Sequence, residues 1–232
     1  MALGTATAPY ELRFDAGRIC LDLLATSHPS ERLGSVEVLR AWIAGSGLVP
    51  PGTPLAHADQ SWLLGFREVR ELVGLLVQEW LRPGVPQGEP SYARPDRPDR
   101  PDRPDRPDRP DRADRADRAD RAYRIDRTIL RINDIARTAP PAPRAVRALD
   151  GLLVRELDAP PTAPVLLAVV ARDAVELLTD PVARACLRQC AGDNCPIVYL
   201  DTSRGHRRRW CSSEICGNRE RVARHRRRAA SV

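Results

Sequence analysis

The sequence predicts an α+β protein, in which a helix-rich N-terminal region with a few short strands precedes a small C-terminal module built around four cysteines. Three observations support this prediction. Between Trp62 and Trp80, apolar residues recur at the spacing of one helix face for about five turns. The pair Asp150-Gly151 separates two short apolar runs, which is typical of a β-hairpin. Two Cys-x4-Cys pairs, fifteen residues apart, lie in a C-terminal module too small to fold on an apolar core alone.

Capping signals set the expected helix boundaries in the N-terminal region. Ser35 is a suitable N-cap, and Gly47 is placed to end the helix that Ser35 begins. The long amphipathic helix starts near Asp59 or Ser61. The predicted helices run from about 18 to 25, from 36 to 46, from 59 or 61 to about 82, from 123 to 137 and from 162 to 178.

A low-complexity insert occupies residues 94–120. It consists of six Arg-Pro-Asp triplets followed by three Arg-Ala-Asp triplets. Its lack of apolar residues predicts a solvated, disordered segment, and its zero net charge argues against a nucleic-acid-binding arm. The triplets without proline permit a helix, so the helix predicted from 123 to 137 is expected to extend backwards by about two or three turns.

The four cysteines in this pattern suit a structural zinc site. Tetrahedral zinc takes four soft ligands, usually two from each of two tight turns. Disulfides or buried thiols are the alternative interpretation. A catalytic zinc needs an open position and usually histidine or carboxylate ligands, so a set of four thiolates predicts one structural Zn²⁺. His206 is therefore interpreted as a solvated turn residue rather than a ligand.

The residues around the cysteines predict a treble-clef arrangement of knuckle, hairpin and helix. Gly192 and Asn194 ease the first turn. The segment 197–200 is predicted as a strand and 207–210 as its antiparallel return. Ser212 or Ser213 is expected to cap a helix whose first turn carries Glu214 and Cys216.

This region resembles the CGNR zinc finger. The resemblance rests on the Cys-x4-Cys run, Leu200-Asp201-Thr202-Ser203, Arg208-Arg209-Trp210-Cys211 and Cys216-Gly217-Asn218-Arg219. It implies that the zinc ligands are Cys190, Cys195, Cys211 and Cys216. Asn218 is predicted to support the site as a hydrogen-bond donor beyond the ligands.

A second resemblance lies near the N-terminus, where Gly17-x-x-Cys20-Leu21-Asp22-Leu23 is similar to the start of the ABATE domain. Ala25-Thr26 replaces the Asn-Thr pair usual there. The resemblance implies an ABATE-like domain over 1–180, interrupted by the insert, and a finger with a basic helix over 186–228. It also implies a stress-induced transcription regulator whose body senses a signal or dimerises, which leaves open a small-molecule effector and a homodimer.

Positive charge is concentrated at the C-terminus. From Arg204 onwards there are ten arginines and two glutamates, a local charge of +8, whereas the whole chain carries +6 and the remainder therefore −2. This asymmetry indicates an anionic partner for the C-terminal region, the alternative being a solvated basic tail. The predicted nucleic-acid contacts are Arg207, Arg208, Arg209, Arg219, Arg221, Arg224, Arg226, Arg227 and Arg228.

Together these features predict a zinc-containing, DNA-binding transcriptional regulator, with an RNA-binding or ribosome-associated zinc protein as the alternative. An enzyme is not expected, because Cys20 and Asp22 have no identifiable base or oxyanion partner and are interpreted as core residues. Residues 1–10 lack the features of a secretory signal, and no apolar run approaches the ~20 residues that span a bilayer. A cytoplasmic protein without membrane contact is expected.

Overall fold

The computed structural model describes residues 12–82 and 112–229. The strands within these ranges form two separate antiparallel pairs, which confirms the α+β class. None of the described helices is both long and apolar enough to cross a lipid bilayer. The elements, in chain order, are α1 (Ile19–Ala25), α2 (Val36–Gly45), α3 (Gln60–Trp80), α4 (Arg112–Ala136), β1 (Pro143–Arg147), β2 (Leu153–Leu157), α5 (Ala163–Thr179), α6 (Pro181–Ala185), β3 (Leu187–Gln189), β4 (Val198–Leu200) and α7 (Cys216–Ala229).

The first helices begin and end where the capping signals predict. The Ser35 side chain accepts a hydrogen bond from the Val38 backbone N–H at the start of α2. The Asp59 carboxylate accepts from two backbone N–H groups in the first turn of α3. Gly47, just after α2, has φ +77°, a left-handed conformation that glycine adopts without strain.

The core is organised around α3, which packs against α1, α4 and α5. The predicted apolar face of α3 is buried, and the ring of Phe66 meets that of Trp42 edge to face at a centroid distance of 5.7 Å. From α5, Leu166, Val170 and Leu177 are fully buried in the same core. Each such side chain contributes about 1.5–3 kcal/mol of transfer free energy, so α3 and α5 carry much of the stability of the body.

Helix α4 confirms the backward extension, because it starts at Arg112, the first residue of the Arg-Ala-Asp triplets. The prediction of disorder is therefore wrong for this part of the insert, where the absence of proline allows the helix to continue. Its side chains from residue 116 to 120 are exposed, whereas Ile132 near its C-terminal end is buried against the core. The Arg-Pro-Asp part of the insert, 94–111, lies outside the described residues.

Strands β1 and β2 form the hairpin predicted around Asp150-Gly151. Val146 faces Val154 in the antiparallel register. Gly151 has φ +84°, a left-handed conformation that glycine adopts without strain. The Asp150 carboxylate accepts a hydrogen bond from the Leu152 N–H at 3.0 Å, which stabilises the turn.

The predicted return strand 207–210 is wrong. Strand β4 pairs instead with β3, which precedes the first cysteine, and Tyr199 faces Arg188 in that pair. The Asp201 carboxylate accepts from the backbone N–H groups of Ser203 and Arg208, and the Tyr199 hydroxyl donates to the Arg208 carbonyl. Side-chain hydrogen bonds thus hold 201–208 as a closed loop, where a strand ladder was expected.

The C-terminal module packs directly on the start of the body. The Leu200 N–H in β4 donates to the Ala16 carbonyl at 2.8 Å. Gly17 has φ +89°, and a β-carbon at this position would lie 3.2 Å from Cβ of Leu200. Residues of both regions belong to one continuous apolar core, so the module is held by the segment that precedes α1.

Candidate metal centre and basic helix

The four predicted ligands come together at one point. All four Sγ atoms of Cys190, Cys195, Cys211 and Cys216 lie within 4.8 Å of one another. The Sγ of Cys211 is 3.7 Å from that of Cys195 and 3.6 Å from that of Cys216. A tetrahedron with Zn–S bonds of about 2.3 Å has edges of about 3.8 Å, so these two pairs have the separation that zinc requires and the other pairs are within about 1 Å of it.

Three of the four ligands are placed by different local structures. Cys190 follows β3 directly, and its N–H donates to the Ile197 carbonyl at 2.9 Å, which continues the β3–β4 pairing by one bond. Cys195 closes the first turn with an N–H bond to the Gly192 carbonyl at 3.1 Å. Cys216 is the first residue of α7. The metal site therefore joins a strand end, a knuckle turn and a helix start.

The first turn confirms the expected roles of its small residues. Asn194 has φ +57°, a conformation that asparagine tolerates better than most residues. A β-carbon at Gly192 would lie 3.3 Å from Cβ of Cys216 and 3.5 Å from Sγ of Cys190. Glycine suits this position because a side chain there would crowd two ligands.

Backbone donors favour the thiolate form of Cys190. Its Sγ accepts from the N–H of Cys211 at 3.3 Å and from the N–H of Gly192 at 3.4 Å. Burial raises the pKa of the Cys190 thiol, but these donors, together with hydrogen bonds from the thiols of Cys211 and Cys195, outweigh burial and hold the pKa below its ordinary value. Zinc binds thiolates, so the fold prepares this ligand for the metal.

Arg13 also reaches the site, and sequence reasoning missed it. Its Nη1 lies 3.4 Å from the Sγ of Cys211, and Asp15 orients the same guanidinium through two hydrogen bonds of 2.8 and 3.0 Å. Four thiolates on Zn²⁺ carry a net charge of −2, so a cation beside them offsets this excess. No local motif marks Arg13, which is 198 residues from Cys211 in the chain.

The second turn differs in detail from the expectation. The Ser212 hydroxyl accepts from the N–H groups of Glu214 and Ile215, so this serine caps a turn that precedes the helix and not the helix itself. The helix begins only at Cys216, however, so Glu214 is not in its first turn. Asn218 is exposed on α7, and its support of the site stays a prediction.

Most predicted phosphate-binding arginines lie on α7. Arg221, Arg224 and Arg228 are exposed, and their i, i+3, i+7 spacing puts them on one face of this helix. Arg219 and Arg226 are exposed on another side, and Arg227 pairs with Glu220 at 2.8 Å. The helix therefore carries arginine around most of its outer surface.

The arginines of the 207–209 segment lie on a loop, and they differ in role. Arg207 and Arg209 are exposed. Arg208 is half-buried, with its guanidinium 4.6 Å from the Tyr199 ring centre, and it donates to the carbonyls of Trp210 and Cys211. Arg208 thus fixes the chain beside the third ligand.

Histidine and core residues behave as expected. His206 is exposed in the turn with φ +48°, its Nδ1 is 2.9 Å from the Asp201 carbonyl, and it is not among the clustered ligands. The side chain of His225 lies outside what the structure describes. Cys20 is fully buried and Asp22 nearly so, which confirms their interpretation as core residues.

Comparison with known families agrees with this geometry. The CGNR zinc finger model matches residues 186–229, which contain the complete cysteine cluster. The ABATE model, described as a putative stress-induced transcription regulator, matches residues 17–181, well over half of the chain. No curated protein matches the sequence. Clustered thiols, their separation and the finger match together establish one structural zinc, and the chain belongs to the ABATE family, with a CGNR zinc finger at its C-terminal side.

Proposed function

We propose that this protein is a DNA-binding transcriptional regulator in which zinc orients a basic helix toward phosphates. The observation that carries the proposal is the arginine face of α7. Arg221, Arg224 and Arg228 lie on one side of a helix whose first residue, Cys216, is a zinc ligand. A metal at this residue fixes where the helix starts and which way it points, so the arginines are presented in a defined direction.

Charge supports the same conclusion. The segment from Arg204 to the C-terminus carries +8, whereas the rest of the chain carries −2. Release of counterions from DNA favours binding by such a segment, and the effect weakens steeply as salt rises. The proposed contacts are Arg207, Arg209, Arg219, Arg221, Arg224, Arg226, Arg227 and Arg228. Arg208 is left out because it is half-buried, with its guanidinium over the Tyr199 ring and bonded to the Trp210 carbonyl. The Arg221 guanidinium also donates to finger carbonyls, those of Gly217 and Ser213, but this residue stays exposed.

The proposal divides the work between two units. The finger, 186–228, binds DNA, and the body, 1–180, receives a signal or mediates dimerisation. We infer no enzymatic role, and the thiolate ligands suit a reducing cytoplasm. Phosphate contacts position a protein without reading sequence, so the DNA sequence recognised is a separate question.

Binding of the full chain to a fluorescent DNA duplex, measured by anisotropy over a series of salt concentrations, tests the proposal. The triple variant Arg221→Gln/Arg224→Gln/Arg228→Gln should lower the affinity at least tenfold and reduce the salt slope by about 2 to 3. Substitution of Arg118, Arg121 and Arg124 by glutamine is a matched control, because these also lie on one helix, remote from the finger in sequence. It should leave the affinity unchanged.

Two outcomes would contradict the proposal. One is no binding of the duplex even at low ionic strength, where phosphate contacts are strongest. The other is an equal loss of DNA affinity in the α4 control variant. That result would mean that binding depends on the total charge of the protein and not on the arginines of α7. Competition with structured RNA distinguishes a DNA-binding regulator from an RNA-binding protein. An RNA-binding protein would release the DNA duplex at low RNA concentration.

A further inference from the structure

A cavity of about 370 Å³ lies in the body, between α3, α4, α5 and the short helix α6. Its walls are largely apolar and include Trp80, Ile125, Ile132, Val175 and Leu178. Small-molecule sites have volumes of roughly 300–1,000 Å³ and combine apolar walls with a few polar groups. Size and lining both suit a small ligand.

One cation, Arg184 of α6, is part of the cavity lining. Its guanidinium carbon lies 3.9 Å from the centre of the Trp80 ring, and its Nη1 donates to the Leu178 carbonyl at 3.1 Å. Its Nε is buried without a hydrogen-bond acceptor and is closed off from the cavity, so a ligand that enters would meet the other side of the guanidinium. A cation in an apolar wall favours a negatively charged hydrogen-bond acceptor.

The charges around the cavity limit what that acceptor can be. Glu79 also lines the cavity, but its carboxylate pairs with Arg82 at 3.3 Å. Among the described residues Arg184 forms no ion pair and is the only cation in the lining. A single anionic oxygen group, rather than a cation or a polyanion, therefore complements the site.

We propose that this cavity binds a small carboxylic acid with an apolar body of about eight to twelve carbons. The carboxylate accepts from the Arg184 guanidinium, and the hydrocarbon or aromatic part lies between α4 and α5 against Trp80. Charge-assisted hydrogen bonds of this kind are about twice as strong as neutral ones, so the arginine selects acids over alcohols of equal length.

The position of Arg184 gives the site a path to the finger. Helix α6 ends at Ala185, β3 begins at Leu187, and Cys190 follows β3 directly. An acid held by Arg184 therefore contacts the short segment that leads to the first zinc ligand. The proposed binding does not depend on whether the finger binds DNA.

Titration calorimetry of the full zinc-loaded chain with octanoate tests this proposal, with octan-1-ol as the uncharged ligand of equal length. Arg184→Gln should weaken octanoate binding by about tenfold or more and leave octanol binding unchanged. Arg188→Gln is the matched control. Arg188 lies four residues further along, in β3, and donates to the carbonyls of Ala185 and Leu187; it is not part of the cavity lining.

Ile129→Trp provides an independent variant, because Ile129 lines the cavity at a partly exposed position that tolerates a larger side chain. It should abolish binding of both ligands while circular dichroism stays native. No octanoate binding at millimolar concentration, equal binding by Arg184→Gln, or undiminished binding by Ile129→Trp would each overturn the proposal. Since calorimetry involves no nucleic acid, these outcomes are distinct from a failure of DNA binding.

Discussion

The guanidinium of Arg13 lies 3.4 Å from the sulfur of Cys211, a zinc ligand 198 residues away in the chain. The body thus contributes a charged group to the metal site of the finger. Zinc affinity should therefore depend on a residue outside the finger.

Arg13→Gln is expected to lower zinc affinity about 10- to 100-fold, the usual effect of removing a partner of a metal ligand. Competition with a chromophoric chelator measures it. Arg144→Gln, an exposed arginine paired with Glu156 on the hairpin, is the control and should have no effect. Unchanged zinc affinity in Arg13→Gln would show that the contact is incidental.

Removal of the metal should unfold the finger and leave the helical body largely intact. Structural zinc supplies about 10–16 kcal/mol of binding free energy to small domains, which the few buried residues around the cysteines cannot replace. Chelation, or the variant Cys216→Ser, should cause loss of the far-ultraviolet helical signal of the 14-residue α7. Atomic emission spectrometry should detect one zinc ion per wild-type chain. Undiminished helicity in metal-free protein would contradict this expectation.

Asp22 should make the protein less stable as pH rises from about 4 to 6. Burial raises the pKa of this carboxyl to about 6, although the Ala16 N–H donates to it at 2.9 Å. In the unfolded chain the pKa of this carboxyl is about 3.9. The folded state therefore keeps the proton up to a higher pH than the unfolded state. The unfolding free energy falls across this window, by at most about 3 kcal/mol, and this contribution is constant above it.

Urea unfolding of wild type and Asp22→Asn at several pH values measures this effect. The asparagine oxygen still accepts the Ala16 N–H, so the variant should be more stable than wild type at pH 7 and match it near pH 4. Zinc binding also varies with pH, but equally in both proteins, so the difference between them isolates Asp22. A constant difference across this range would refute the assignment.

Gly17→Ala should destabilise the protein more than Gly52→Ala. Both glycines have positive φ, +89° and +81°, so both variants incur a similar backbone strain of about 1 kcal/mol or more. Only Gly17 faces a neighbour, Leu200 Cβ at 3.2 Å, whereas nothing lies within 4 Å at Gly52. We expect an additional cost of about 1–3 kcal/mol at Gly17, seen in urea unfolding. Equal losses of unfolding free energy in the two variants would mean that Leu200 can shift enough to accommodate the added β-carbon at position 17.

The sequence predicts the helices well because their signals are local. Ser35, Asp59 and Gly47 act within one turn of their own positions. Cysteine spacing likewise predicts the metal site, since only two short turns are needed to bring the ligands together. Local signals were sufficient in both cases.

Strand pairing and contacts between distant residues are harder to predict from the sequence. A turn before 207–210 suggests a return strand there, but β4 pairs with β3, while Asp201 and Tyr199 hold the loop through side-chain bonds. Arg13 and the cavity around Arg184 depend on contacts between distant parts of the chain, which leave no mark in spacing or composition. Such contacts follow only from the three-dimensional fold.

The bond from the Leu200 N–H to the Ala16 carbonyl has a consequence for exchanging parts between members of the family. Because it joins two backbones, no side-chain substitution removes it. A chimera that takes only residues 186–229 from a relative would keep this bond but lose the matched fit at Gly17 and Arg13. Grafting the segment 12–17 together with the finger would transfer both sides of this interface. The unit that can be exchanged therefore consists of two segments that are far apart in sequence.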